Sequence, residues 1–244
     1  MDNPGVAGRF AGKNVVVAGG TGGLGQAVSV AFLHESANVF VTYRNRDEFK
    51  ALRDAAGEHE KRLTGAIVDV TDESAVRQWS EHDGLKGAPV DVLVNAVGAY
   101  SGGLPVWQTD GSVLDRMLDL NLRSGFVLSR ILVPGMLSRG SGAVVNVASR
   151  AAFDHAAGAA AYAASKAAAV ALMDCLAADV KGTGVRVNSV LPGIIDTNAN
   201  RSAMPNADYS KWPKPSEIAR VVLFLCSEEA HLISGTSVPV YGDA

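Results

Sequence analysis

Cysteine is scarce in this chain. Cys175 and Cys226 are the only two, and neither has a partner at metal or redox spacing. Two isolated thiols suit a reducing, cytoplasmic setting in which they serve as small buried residues, and they exclude a disulfide scaffold. The five histidines are scattered, so no metal site is expected. Positive charge is not in excess either: 22 lysines and arginines face 25 acids, for a net charge of −3 and a pI near 5.9. That balance leaves no basic surface for nucleic acid. Met1–Gly8 lacks a basic start followed by an apolar stretch and reads as a flexible tail. The alanine-rich run around Tyr162 is interrupted by Lys166, so neither segment reads as a signal or a membrane span. No linker interrupts the 244 residues, which are expected to form one domain, 1–244.

What is present is an alternation of short apolar runs with longer helical stretches. Residues 14–18, 38–43, 66–70, 90–95, 143–148, 185–191 and 236–240 have the length and β-branched content of buried parallel strands. Residues 26–35, 47–56, 74–82, 112–137, 160–180 and 216–227 read as helices between them. Seven strands with intervening helices predict an α/β fold, a Rossmann-type doubly wound parallel sheet with helices on both faces. A hydrophobic content of 48% is ample for its core.

The first strand runs straight into Gly19-Gly-Thr-Gly-Gly-Leu-Gly25, and a helix follows. A glycine turn in that position lets backbone amides at a helix start hold a pyrophosphate, the beginning of a dinucleotide site. The glycines fit two registers, Gly20, Gly22 and Gly25 or Gly19, Gly23 and Gly25. The tip of the second strand discriminates between cofactors, since an acid there accepts the ribose hydroxyls of NAD and an arginine accommodates the extra phosphate of NADP. Here stand Tyr43, Arg44, Asn45 and Arg46, with Asp47 and Glu48 only where the next helix starts. NADP(H) is therefore favoured over NAD(H), with Arg44 as the main phosphate contact.

Tyr162 and Lys166 stand four residues apart on a helical run and project from one face. A free phenol titrates near 10 and is a poor acid or base at neutrality. An ammonium at roughly 4 Å, at an effective dielectric of about 20, favours tyrosinate by about 4 kcal/mol, or about three pKa units. Lysine desolvation offsets part of that. The pair thus has the makings of a general acid/base.

Gly19-x-x-x-Gly23-x-Gly25, Asn95-Ala-Val-Gly98, Asn121, Ser149, Tyr162-x-x-x-Lys166 and Pro192-Gly193 occur in the order and spacing of the short-chain dehydrogenases/reductases, which the chain resembles over nearly its whole length. The resemblance selects the Gly19, Gly23, Gly25 register and is to the single-domain type that includes 3-oxoacyl-carrier-protein reductases and many alcohol and sugar dehydrogenases. It implies that Tyr162 passes a proton to or from the substrate oxygen, that Lys166 lowers the tyrosine pKa and holds the nicotinamide ribose, and that Ser149 orients the same oxygen. Asn121 would position a water linking Lys166 to solvent. For the cofactor it implies Gly19, Thr21, Gly22, Gly23, Leu24 and Gly25 at the phosphates, Asp69 and Val70 at the adenine, and Asn95, Ala96, Gly98, Pro192, Gly193, Ile195 and Thr197 along the nicotinamide half.

Two departures from the family pattern stand close together. Ala18 replaces the usual threonine before the first glycine, and Asn95-Ala96-Val97-Gly98 replaces Asn-Asn-Ala-Gly. An apolar contact through Ala18 is expected to compensate for the lost hydroxyl. By resemblance the 198–214 loop closes over substrate, with Met204, Tyr209 and Trp212 either forming an apolar lid or packing the loop on its own body. Tyr100, Phe153 and His155 are further possible pocket residues without an assigned role. A carrier-protein substrate calls for a basic patch, to which Arg139 and Lys181 are the contributors. The expectation is an NADP(H)-dependent enzyme (EC 1.1.1.-) interconverting a ketone and a secondary alcohol, with 3-oxoacyl reduction the leading subtype. The alternatives are a sugar or alcohol dehydrogenase and a dinucleotide-binding regulator without turnover. Relatives are commonly tetramers, so a homo-oligomer acting on a small molecule is expected.

Overall fold

The computed structural model describes residues 8–243. Its centre is an all-parallel seven-stranded sheet: β1 (Asn14–Ala18), β2 (Asn38–Tyr43), β3 (Leu63–Ile67), β4 (Val92–Asn95), β5 (Gly142–Val147), β6 (Val185–Pro192) and β7 (Ser237–Val240). The order is β3-β2-β1-β4-β5-β6-β7. The helices are α1 (Gly23–His34), α2 (Arg46–Ala56), α3 (Glu73–Gln78), α4 (Gly111–Leu118), α5 (Ser124–Arg139), α6 (Ala160–Asp179), α7 (Asn198–Ala203) and α8 (Pro215–Cys226). This is the Rossmann-type arrangement expected from the alternation.

The β-branched strands are apolar on both sides because both sides are covered. Val15, Val17, Val39 and Val41 pack with Val28 and Phe32 of α1 and with Ile218 and Val222 of α8. Val16, Leu93 and Val144 face Leu128 and Leu132 of α5 and Met173 of α6. Each such buried side chain contributes about 1.5–3 kcal/mol. α6 is long and apolar enough to cross a membrane by length and composition. In this fold it lies on the sheet and buries Ala163, Lys166, Ala169, Val170 and Met173.

Several boundaries move for local reasons. β3 occupies 63–67 rather than 66–70, because Asp69 turns its carboxylate onto the Thr71 N–H at 3.0 Å and ends the extended chain. Val68 and Val70 are apolar because they enter the core under that turn. The expected 112–137 helix contains a π turn, Asp119–Arg123, between α4 and α5, and α3 ends in another, Trp79–Asp83. α7 forms where a loop was expected, its first turn capped by Thr197 Oγ, which accepts from the Asn200 N–H at 3.2 Å. Of the tail assigned to 1–8, residues 1–7 lie outside the described residues. At Gly8 a Cβ would meet the Glu35 carbonyl oxygen at 2.3 Å.

The chain builds outward from β1 to β3, crosses, and builds outward again from β4 to β7. The reversal opens a crevice at the carboxyl ends of β1 and β4, the position where open α/β sheets take ligands.

Candidate active site

β1 delivers the chain to Gly19, whose φ of +70° lies in the left-handed region that glycine enters freely. α1 then starts so close beneath the strand that a Cβ on Gly25 would lie 2.1 Å from the Gly19 carbonyl oxygen. Gly22 caps α1 without any side-chain hydrogen bond, so the first amides of the helix face the crevice unclaimed by a side chain. A Cβ on Gly22 would meet only Gly19 O, at 3.7 Å, whereas one on Gly23 would strike Thr197 Cγ2 at 2.8 Å. An open turn with free amides at a helix start, approached by Thr197, fits a dinucleotide pyrophosphate in shape and sign.

At Ala18, where the family pattern has threonine, the neighbouring strand brings a threonine hydroxyl to the glycine turn. Ala18 pairs with Thr42, and the Gly19 N–H donates to both Thr42 O (3.1 Å) and Thr42 Oγ (3.3 Å). Ala18 is fully buried in the cluster that Val97 packs against, the apolar contact expected of it.

Opposite the glycine turn, α6 presents Tyr162 and Lys166. The two line one cleft of about 320 Å³ together with Gly22, Gly23, Leu24, Gly25, Ala96, Gly98, Pro192, Gly193 and Ile195. A larger hollow of about 770 Å³ opens elsewhere among Lys13, Asp91, Arg186 and their neighbours, and none of the residues named from the sequence as catalytic or cofactor-binding lines it. Lys181 does line it, and Arg139 donates to the Val90 carbonyl at the amino-terminal approach to β4. These two cations therefore sit away from the cleft mouth and form no basic patch there.

Lys166 is buried, and its Nζ donates to the Val147 carbonyl at 2.9 Å. Burial pulls its pKa down to about 8. Tyr162 departs from the expected lowering. Burial raises its pKa, the Ser149 hydroxyl opposes that rise, and Tyr100 adds to it. With the ammonium turned to Val147, desolvation governs the phenol.

Asn121 sits in the π turn, where an extra residue per turn swings it inward. Its Nδ2 donates to Ala99 O (3.0 Å) and Ser165 Oγ (2.9 Å), while its Oδ1 accepts from the Ala99 N–H (2.9 Å). The side chain thus clips the Ala99 loop to α6. A Cβ on Gly98 would fall 2.9 Å from Asn121 Oδ1 and 3.0 Å from Lys166 Nζ, so glycine lets these groups converge. Ser149 Oγ accepts from the Ala151 N–H at 3.1 Å and caps a short turn, which accounts for its buried orientation.

Other expected site residues lie apart from the cleft. Asn95 Nδ2 donates to Asn146 Oδ1 at 3.0 Å, and its own Oδ1 accepts from the Val97 N–H at 3.2 Å, shaping the chain that leaves β4. Val70 is a core residue. Thr71 hydrogen bonds hold the Asp69 carboxyl below its usual range, and nearby Arg44 adds to this. Arg44 is exposed beyond the tip of β2 and borders a separate depression with Thr71 and Asp119. Trp212 is buried, and its ring lies 4.9 Å from that of Tyr209, so these aromatics pack the loop onto the body.

Several residues near the site carry no assigned role from the sequence. Tyr100 and Asn200 line the cleft. Thr21 Oγ donates to Glu48 Oε2 at 2.9 Å. The signal for Glu48 was its place three residues after Asn45, the cap of α2, where an acid normally turns back to the cap's own amide.

The short chain dehydrogenase family model matches residues 13–208. A 3-oxoacyl-[acyl-carrier-protein] reductase of Thermotoga maritima is 28% identical over 242 residues, 96% of this chain and 98% of that one. A 2-dehydro-3-deoxy-L-rhamnonate dehydrogenase (NAD(+)) of Sphingomonas sp. is 30% identical, covering 97% and 96%. The crystal structure of a putative short-chain dehydrogenase/reductase from Burkholderia xenovorans superposes with a TM-score of 0.89 at 31% identity, covering 97% of each chain. By sequence and by fold, this chain belongs to the short-chain dehydrogenase/reductase family, oxidoreductases that act on CH–OH groups.

Proposed function

We propose that the chain is an NADP(H)-dependent oxidoreductase that interconverts a ketone and a secondary alcohol, with Tyr162 as the acid/base. One observation carries the reading: Tyr162 and Lys166 share a cleft with the glycine turn at the start of α1. A nicotinamide held there supplies or accepts the hydride. Gly19, Thr21, Gly22, Gly23, Leu24 and Gly25 hold the phosphates through the loop backbone. Asp69 and Val70 border the adenine, while Asn95, Ala96, Gly98, Pro192, Gly193, Ile195 and Thr197 flank the nicotinamide half. Tyr162 keeps its proton at neutral pH because burial raises its pKa, the form needed to protonate a carbonyl oxygen. Ser149 orients that oxygen. Lys166 holds the nicotinamide ribose, and the convergence of Lys166 and Asn121 at Gly98 supports a water-linked route for resupplying the proton.

Arg44 supports NADP(H), although the Sphingomonas relative is named for NAD(+). The Thermotoga relative supports a 3-oxoacyl substrate. The positions of Arg139 and Lys181 favour a free thioester or ketone over one presented by a carrier protein. We read the chain as one dinucleotide-binding unit that acts in the cytoplasm, in keeping with free Cys175 and Cys226. A homo-oligomer is supported by exposed Phe126 and Leu137 on α5.

The test is titration of NADPH and NADH, followed by cofactor absorbance with 3-oxoacyl thioesters, diketones, sugars and quinones. Preferential NADPH binding and oxidation by one group is expected. Tyr162→Phe should lower turnover by about 100-fold or more while binding stays nearly intact. Unchanged turnover in that variant refutes the mechanism.

A further inference from the structure

We propose that Glu48 is a specificity-determining residue, whose carboxylate opposes a phosphate on the adenosine ribose and so partly offsets Arg44, leaving the site able to take both NADH and NADPH. The inference rests on the reading above that the ribose lies between the glycine loop and the tip of β2.

β1 and β2 are paired in register through Ala18 and Thr42, which brings the loop after β1 beside the turn after β2. Thr21 is nearly buried in the first loop, and Glu48 lies in the first turn of α2. Asn45 caps α2 by accepting from the Asp47 N–H at 2.8 Å. The Glu48 carboxylate reaches across to the glycine loop and accepts the Thr21 hydroxyl at 2.9 Å.

Two consequences follow. The Thr21 proton is committed to Glu48 and is not free for a phosphate oxygen. A formal negative charge is also held at the mouth of the ribose site, where a 2′-phosphate would bring about two more. Arg44 faces that phosphate with its own charge already shared, since it lies close enough to Asp69 to help keep that carboxyl ionised. Glu48 and Asp69 therefore offset part of the positive charge that Arg44, with exposed Arg46 two residues on, brings to this turn. An uncharged ribose hydroxyl meets no such repulsion.

The test is equilibrium binding of NADPH and NADH by nucleotide fluorescence, with wild type, Glu48→Gln and Glu48→Lys at low and at high salt. Glutamine retains an acceptor for Thr21 but removes the charge. Charges interacting through water at roughly 4–6 Å predict NADPH binding about five- to tenfold tighter in Glu48→Gln, with NADH changed by less than about twofold. The gain should be larger in Glu48→Lys and shrink with salt. Equal changes for both nucleotides would mean that Glu48 only braces the loop, and would overturn the proposal. Failure of wild type to bind either nucleotide would overturn the dinucleotide reading itself, and the Glu48 proposal with it.

Discussion

The ring of Tyr100 meets the ring of Tyr162 edge to face, with centroids 5.0 Å apart and planes at 74°. Such pairs are held by the quadrupoles of the rings and orient both. Tyr100 is otherwise 66% exposed, so it forms the solvent-side wall of the phenol expected to do the chemistry.

Removing that wall should lower the Tyr162 pKa, because Tyr100 pushes it up and helps to desolvate it. Tyrosinate absorbance, taken as the difference from the same protein carrying Tyr162→Phe, should titrate at lower pH in Tyr100→Ala than in wild type. An upward move would refute the assignment.

Lys166 holds its proton less tightly folded (about 8) than free in water (10.5). The unfolded chain binds more protons between those values, so folding stability rises with pH across that window and the full penalty applies below it. Compared with Lys166→Met, which cannot titrate, wild type should gain about 3 kcal/mol from pH 8 to 10.5. Parallel denaturation profiles for the two proteins across that range would show that Lys166 is solvated.

Gly25 and Gly22 should part company on substitution by alanine. At Gly25 the new methyl meets the Gly19 carbonyl, a backbone atom that cannot swing aside, and should cost about 1–3 kcal/mol or more. At Gly22 the methyl enters open space, and the loss should stay under about 1 kcal/mol. Urea midpoints decide this, and equal losses would disprove the stated packing.

Arg44→Ala should weaken NADPH by about tenfold or more, the worth of a charge-assisted hydrogen bond, and NADH by less than about twofold. Equal losses for both nucleotides would refute the cofactor preference.

The paired valines of β1 and the glycines beyond them were legible in the chain because both answer to local rules. A buried parallel strand is apolar at every position, and a turn with φ of +70° under a helix start excludes side chains. Tyr162 and Lys166 were legible because helical spacing alone puts them on one face. β3 was misplaced by three residues because Val68 and Val70 look like strand residues while an Asp69 turn, not their hydropathy, ends the ladder.

What the sequence by itself determined is the order of elements, the family and the identity of the groups in the cleft, since these follow from periodicity and spacing along one chain. Tertiary structure alone decided where their charges and protons go. Lys166 turns to Val147, Thr42 accepts from the Gly19 N–H, Asn121 clips Ala99, and Glu48 reaches Thr21. Each partner lies 19 to 27 residues away along the chain. The direction of a pKa shift depends on burial and on such partners, and no local pattern encodes either.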